Sequence, residues 1–300
     1  MTDGFVTVLK PPGLTSSDVV TDIRRIFGMK RVGHGGTLDP GASGVLTVCL
    51  GRATRLFDYI IDKKKEYIAE IAFGKATDTQ DSYGTETASS DKTVSEEELR
   101  AALGCFTGRI SQNAPAYSAL NQNGVKLYKL ARSGADIETK TREITVYACE
   151  LLTKTSHNRY LLRIECSKGT YIRTICSDIG KSLGTCAYMS FLLRTASGEF
   201  TLENAFSIAE LQKMKETGAL EEAVMPMDSA IPHITPLYLN GLSNRSRTRL
   251  LNGADIACEW EAAQGEPLRI YIDGVFAGLG KRDGDRLQMT LMLGESTENG

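Results

Sequence analysis

The segment 33–46, GHGGTLDPGASGVL, gathers the residue types in this chain that could do chemistry. Its one carboxylate, Asp39, is followed by Pro40, which biases the Asp39 backbone toward extended conformations. Gly33, Gly35, Gly36, Gly41 and Gly44 surround it, so another chain could approach that carboxylate closely. A carboxylate presented in this way can serve as a nucleophile. Two other readings fit the same residues. Leu-Asp-Pro-Gly is also a common turn, since Asp and Pro favour turns for backbone reasons alone. Gly-His-Gly-Gly also resembles a phosphate cradle, but it lacks the Lys-Ser/Thr of a P-loop and the full G-x-G-x-x-G pattern, and His34 by itself is a capping or turn residue. Asp78 and Asp81, in T-D-T-Q-D, lack the glycine and distal glutamate of an EF-hand, so no metal site is expected.

Such a loop needs regular elements to hold it. F-V-T-V-L-K reads as a strand, followed by a P-P-G turn and a helix capped within Ser16–Asp18, with Val19, Ile23, Ile26 and Phe27 on one side. After the glycine-rich loop the run V-L-T-V-C-L suits a buried strand. Y-I-A-E-I-A-F predicts a strand beginning at Tyr67, and residues 77–93 a polar loop. Ser95 with Glu98, and Ser207 with Glu210, are capping-box signatures opening two helices. I-T-V-Y-A-C-E-L-L and Y-L-L-R-I-E-C are further strands; Ile172, Ile175, Ile179 and Leu183 mark a helix closed by Gly184. Strands and helices interleave without a regular βαβ period, which predicts a mixed α+β fold.

Three prolines between Pro226 and Pro236 predict a linker, and the short strand-like runs beyond it, punctuated by Asn-Gly and Asp-Gly, predict a small β-rich module. The expected division is 1–235 and 236–300. A chain of 300 residues, 41% hydrophobic and 24% charged, can bury a sizeable core. The start, MTDGFVTVLKPPG, lacks a basic segment followed by an apolar one, and no run reaches the roughly 18 apolar residues of a membrane span, which points to the cytoplasm and no membrane contact. Seven cysteines without a C-x-x-C pair read as reduced core residues, with a Cys166–Cys176 disulfide as the minor alternative. A formal net charge of −2 means that any surface for a polyanion must be local. Candidate patches are Arg24, Arg25, Lys30 and Arg31; Lys63, Lys64 and Lys65; and Arg245, Arg247 and Arg249, each also readable as a solvated face.

K-P-P-G, GHGGTLDPGASGVLTVCLGRATRL, K-K-E-Y, T-D-T-Q-D and S-K-G-T-Y-I-R-T-I follow one another here in an order and spacing that resembles the TruB family of bacterial tRNA pseudouridine-55 synthases. The resemblance covers nearly the whole chain, most specifically residues 33–56 and 167–175. It implies a mixed-sheet pseudouridine synthase core, a C-terminal PUA-like RNA-binding domain and, as substrate, uridine-55 in the T-loop of tRNA. It implies further that Asp39 is the nucleophile, that His34 helps open the T-loop, and that Tyr67 stacks on the target uracil. Tyr171 and Arg173 match an active-site tyrosine and the arginine that pairs with the catalytic carboxylate; Leu192 matches an apolar residue of the uridine pocket. Lys10 and Asp81 match supporting positions. The implied enzyme is a monomer that binds the T-arm and T-loop, with no cofactor, no metal and no obligatory protein partner. G-H-G-G-T stands where many members have G-H-T-G-A, and no acidic residue precedes Lys10, departures that touch loop detail.

Elementary chemistry agrees. Isomerising uridine breaks the N1–C1′ bond and rejoins uracil through C5 without a change of redox state. A carboxylate nucleophile must be ionised, and a nearby arginine favours that form. Two rivals are an RNA-binding or RNA-folding module without chemistry, and a synthase of the small-RNA-guided kind; the compact length and lack of basic tails favour the stand-alone type.

Overall fold

The computed structural model describes residues 2–61, 63–115, 117, 121–122, 125–126, 141–258, 260–261 and 263–294. A nine-stranded sheet forms the larger part, its main path running Gly4–Lys10, Ser43–Leu50, Ala187–Ser197, Lys65–Phe73, Arg159–Cys166, Thr141–Ser156 and Gly108–Asn113. Val32–His34 and Phe200–Thr201 pair beside this path. The ladders are antiparallel apart from one short junction, where Leu193 and Arg194 run parallel to Ser43 and Gly44. Gly44 has φ +111°, and a Cβ there would lie 2.2 Å from the Arg194 carbonyl oxygen, so the close approach of the two strands requires glycine.

Apolar residues alternate into two clusters against this sheet. Ile71, Leu162 and Ile164 pack with Leu99 of helix Glu96–Leu103 and Ile175 of helix Ile172–Ser182. Val6, Val8, Leu46 and Val48 pack with Ile23 of helix Ser16–Phe27 and Leu211 of helix Ile208–Thr217. Each such side chain contributes roughly 1.5–3 kcal/mol by leaving water. Helices Glu96–Leu103 and Ile208–Thr217 start at the expected capping boxes on Ser95 and Ser207. The first helix does not start as expected. Thr15, in extended conformation, is the cap and shares a capping box with Asp18, while Ser16 is buried inside the first turn.

A second, five-stranded sheet in the order Thr235–Leu239, Pro267–Ile272, Val275–Asp283, Arg286–Met292 and Ile256–Ala257 forms the C-terminal β unit. Pro236 falls on an edge strand, where no inward N–H is needed. Helix Asn244–Leu251, which the sequence pattern does not announce, packs Leu250 against this sheet. The expected linker is not an open tether: Ala230, Ile231 and Ile234 are buried in one cluster with Phe5, Val45, Leu279 and Leu293, joining the two sheets. Prolines end regular hydrogen bonding there without ending burial. The fold is thus mixed α+β with a C-terminal β unit. All seven cysteines are free; Cys49, Cys149, Cys166 and Cys176 are buried, whereas Cys105 is exposed rather than in the core. Among the described residues no helix is long and apolar enough to cross a membrane.

Candidate active site

The Asp39 loop is tied down from behind. The Ala42 N–H donates to the Asp39 carbonyl at 3.0 Å, closing a tight turn, and the Gly13 N–H donates to Pro40 at 2.8 Å. Lys10, with no exposed surface, donates through Nζ to the carbonyls of Pro11, Leu14 and Pro40 at 2.9, 2.7 and 3.2 Å. Burial pushes its ammonium down to about 8, against the pull of Asp39. The Ser16 hydroxyl both donates to the Leu38 carbonyl and accepts from the Leu38 N–H, at 3.2 and 3.0 Å. The residue just before Asp39 is therefore pinned to the first helix.

From the front, Arg173 meets the carboxylate: Nε lies 2.9 Å from Asp39 Oδ2. Only 5% of the Arg173 side chain is exposed, against 40% for Asp39, so a buried cation anchors a carboxylate that stays open to a ligand. The remaining guanidinium nitrogens donate to the carbonyls of Thr79 (2.8 Å) and Tyr117 (3.0 Å). Asp81 is second to Asp39 as a counter-ion, 3.9 Å from Arg173, and its Oδ1 accepts from the Thr79 hydroxyl and the Tyr83 N–H at 2.6 and 3.0 Å. It shapes the loop that holds Arg173. Tyr171 sits at the N-cap of the Arg173 helix without a side-chain cap. Instead, buried Gln112 accepts from the Tyr171 N–H (2.8 Å) and donates to its carbonyl (2.9 Å), and Arg142 stacks 5.2 Å over the Tyr171 ring.

Asp39, Tyr67, Tyr171, Arg173 and Leu192 line one cavity of about 550 Å³. Tyr67 is cross-strand partner to Arg194, and Ala69 to Leu192, which places Tyr67, Leu192 and Arg194 on one face of the sheet. Burial pushes the Tyr67 phenol up, so the ring remains neutral at physiological pH. His34 lies outside this lining, on the Val32–His34 strand beside Val48. Burial, helped by Arg194, pushes its imidazole down against a hydrogen bond with the Gly36 backbone, and its buried Nδ1 has no hydrogen-bond partner among the described residues. Lys10 and Asp81 support the wall without facing the cavity.

Sequence reasoning missed Ser16, Gln112 and above all Arg194. Arg194 is 1% exposed and donates to Val45 (2.7 Å), Thr37 and Gly36 (both 3.4 Å), so it braces the glycine loop from within. Its one sequence signal is its place two residues after Leu192, on the same strand face. Arg142, Lys168, Arg173, Arg194 and Lys65 give the lining five cations against the single carboxylate of Asp39. Lys65, expected in a surface patch, is instead buried, its Nζ donating to Ile61 and Lys63. The apolar side chains of Tyr67 and Leu192, one open carboxylate and a cationic wall suit a planar base carried on a polyanion. Among the described residues no three His, Cys, Asp or Glu side chains come together as metal ligands.

Two family models match in succession, the TruB family pseudouridylate synthase N-terminal domain over residues 24–172 and the tRNA pseudouridylate synthase B C-terminal domain over 173–232. Named relatives include tRNA pseudouridine synthase B of Alkaliphilus oremlandii, 40% identical over 93% of this chain and 92% of its own. The enzyme of the same name from Clostridium perfringens is 39% identical over 97% and 99%. Among solved structures, an H/ACA RNP bound to a substrate RNA containing 2′-deoxyuridine holds a chain with TM-score 0.73 and 26% identity, covering 97% of this chain and 85% of that one. A chain of a Cbf5–Nop10–Gar1 complex follows at TM-score 0.70 and 28% identity, over 93% and 78%. A synthase fold around this cavity and relatives matched along nearly their whole length lead to one statement: the chain belongs to the TruB family of pseudouridylate synthases.

Proposed function

We propose that this tRNA pseudouridine synthase isomerises uridine-55 of the T-loop, with Asp39 as nucleophile. One observation carries the assignment: a buried Arg173 holds a half-open Asp39 carboxylate in the cavity that Tyr67 and Leu192 line. The reacting base is hidden in a folded loop, so it must be everted at a cost of a few kcal/mol and then held by stacking and edge contacts. Tyr67 and Leu192 provide the holding surface, and His34, half-buried on the strand that leads into the Asp39 loop, assists the opening of the T-loop. Asp39 assists cleavage of N1–C1′; the uracil turns, C5 joins C1′ and gives up its proton, and N1 ends carrying one. Tyr171 closes one side of the base pocket, while Lys10 and Asp81 hold the loops that carry Asp39 and Arg173.

Residues 1–235 are assigned the chemistry and 236–300 a PUA-like role in binding tRNA, in a cytoplasmic enzyme that works as a monomer without a cofactor. The test is a site-resolved pseudouridine map of an unmodified tRNA transcript incubated with the purified chain and no guide RNA. Product at position 55 is expected; product elsewhere, or none, overturns the assignment. Asp39→Asn should bind the same transcript while product formation falls about a thousandfold or more. Product at the wild-type rate would remove Asp39 from the chemistry.

A further inference from the structure

Tyr83 is 73% exposed, the most open large apolar side chain among the described residues, and the reaction as proposed leaves it without a task. A single exposed aromatic needs no explanation in general. This one is held in place. It lies in the loop joining strands Lys75–Thr77 and Glu86–Ser89, which Asp78 ties across through its backbone N–H to Thr85 (3.1 Å) and its Oδ1 from the Thr85 N–H (2.8 Å). The Tyr83 N–H is fixed on Asp81, whose other oxygen faces Arg173. At its far end the ring rests on Gly41: a Cβ there would lie 2.1 Å from Cε2 and 2.9 Å from the hydroxyl oxygen. Gly41 belongs to the turn closed by the Asp39 carbonyl, so a pre-placed aromatic surface lies directly on the turn that carries the candidate nucleophile.

Resting on the reading of the substrate as an RNA loop, we propose that Tyr83 forms a second base-binding subsite outside the cavity, on which a nucleobase adjacent to the everted uridine stacks. Eversion removes one base from a stack and leaves its neighbour with an uncovered face. An aromatic ring already resting on the Asp39 turn covers that face, and its contact with Gly41 before binding lowers the ordering left to be paid on association. Stacking takes any base, so the subsite adds hold on an unstacked loop rather than sequence choice. The Tyr83 hydroxyl has no part in this; the ring does.

The experiment uses the full chain with Tyr83→Ala and Tyr83→Phe on a T-arm stem-loop. Tyr83→Ala should raise KM about tenfold and leave kcat within about twofold, and Tyr83→Phe should restore KM. A stem-loop carrying 2-aminopurine on either side of the target uridine should lose fluorescence on binding wild type and Tyr83→Phe, and retain it with Tyr83→Ala. An unchanged KM in Tyr83→Ala, equal quenching by all three proteins, or a Phe variant as impaired as Ala would each overturn the subsite. Failure of the wild type to make pseudouridine would strike the proposed reaction instead, and the fluorescence comparison would still decide the subsite.

Discussion

Arg173 Nε lies 2.9 Å from Asp39 Oδ2 while the other nitrogens of the same guanidinium donate to the carbonyls of Thr79 and Tyr117. One planar group thus joins three loops, which a single ammonium cannot do. Arg173→Lys should keep the charge yet lose the geometry, and a misplacement of about 1 Å costs on the order of a hundredfold in rate. Each carbonyl left unpaired also costs roughly 1–3 kcal/mol of stability. Single-turnover rates on a T-arm substrate and urea unfolding read the two effects separately. A lysine variant with the wild-type rate would mean that charge alone suffices.

Lys10 makes a prediction in pH. Its ammonium is pushed down to about 8 in the fold, against an ordinary value of 10.5. Below pH 8 both folded and unfolded chains carry the proton, and stability does not change with pH through this group. Between about 8 and 10.5 the unfolded chain holds a proton that the folded chain has released, so the Lys10 contribution to stability rises with pH. The whole rise is about 3 kcal/mol from the size of the depression. Unfolding free energies of wild type and Lys10→Met, measured from pH 7 to 10.5, should diverge across that window in favour of wild type. Parallel curves would show that Lys10 titrates normally.

On helix Asn244–Leu251 the three arginines are not equivalent. Arg247 pairs with Asp273 at 3.1 Å and Arg249 with Asp255 at 3.9 Å, whereas Arg245 is exposed and, among the described residues, no carboxylate lies within ion-pair distance of it. If this helix contacts the acceptor side of tRNA, Arg245→Glu should weaken binding of full tRNA more than Arg247→Glu does. It should lower the slope of log affinity against log salt by about 1 and leave an isolated T-arm unaffected. Equal loss on both RNAs would place the helix elsewhere.

From residue types alone only the Asp39 carboxylate in a side-chain-poor loop stands out; Tyr67 and Arg173 are singled out by the family resemblance, and Tyr67 proves to be the third residue of strand Lys65–Phe73 rather than its first, with Arg173 in the first turn of helix Ile172–Ser182. What could not be read depends on where strands meet. Arg194 acquires its role from the short parallel junction at Gly44, which no local pattern encodes. Ser16 reads as a cap because serine favours that position, but Thr15 takes the cap and frees the Ser16 hydroxyl for Leu38. The segment 226–236 reads as a linker because prolines end regular structure, yet proline does not forbid burial, and Ile231 and Ile234 carry it into the core. Helix Asn244–Leu251 was hidden for a different reason: with Leu250 its one buried residue, it has no apolar stripe at helical spacing.

Gly41 and Tyr83 should behave as one unit. Gly41 is not at positive φ, so alanine is acceptable to its backbone, and what the new methyl meets is the Tyr83 ring, 2.1 Å away at Cε2. That ring is exposed and at the end of a movable side chain, so Gly41→Ala should cost little stability but push the ring off the turn. If the ring position matters, Gly41→Ala reproduces the KM rise of Tyr83→Ala, and the double variant is no worse than either single one, because the second change removes what the first has already displaced. Such non-additivity is the mark of two residues acting through one contact. Additive losses across the cycle, read in steady-state kinetics on the stem-loop, would instead mean that the methyl disturbs the Asp39 turn directly and that Gly41 is required by the catalytic loop for its own sake.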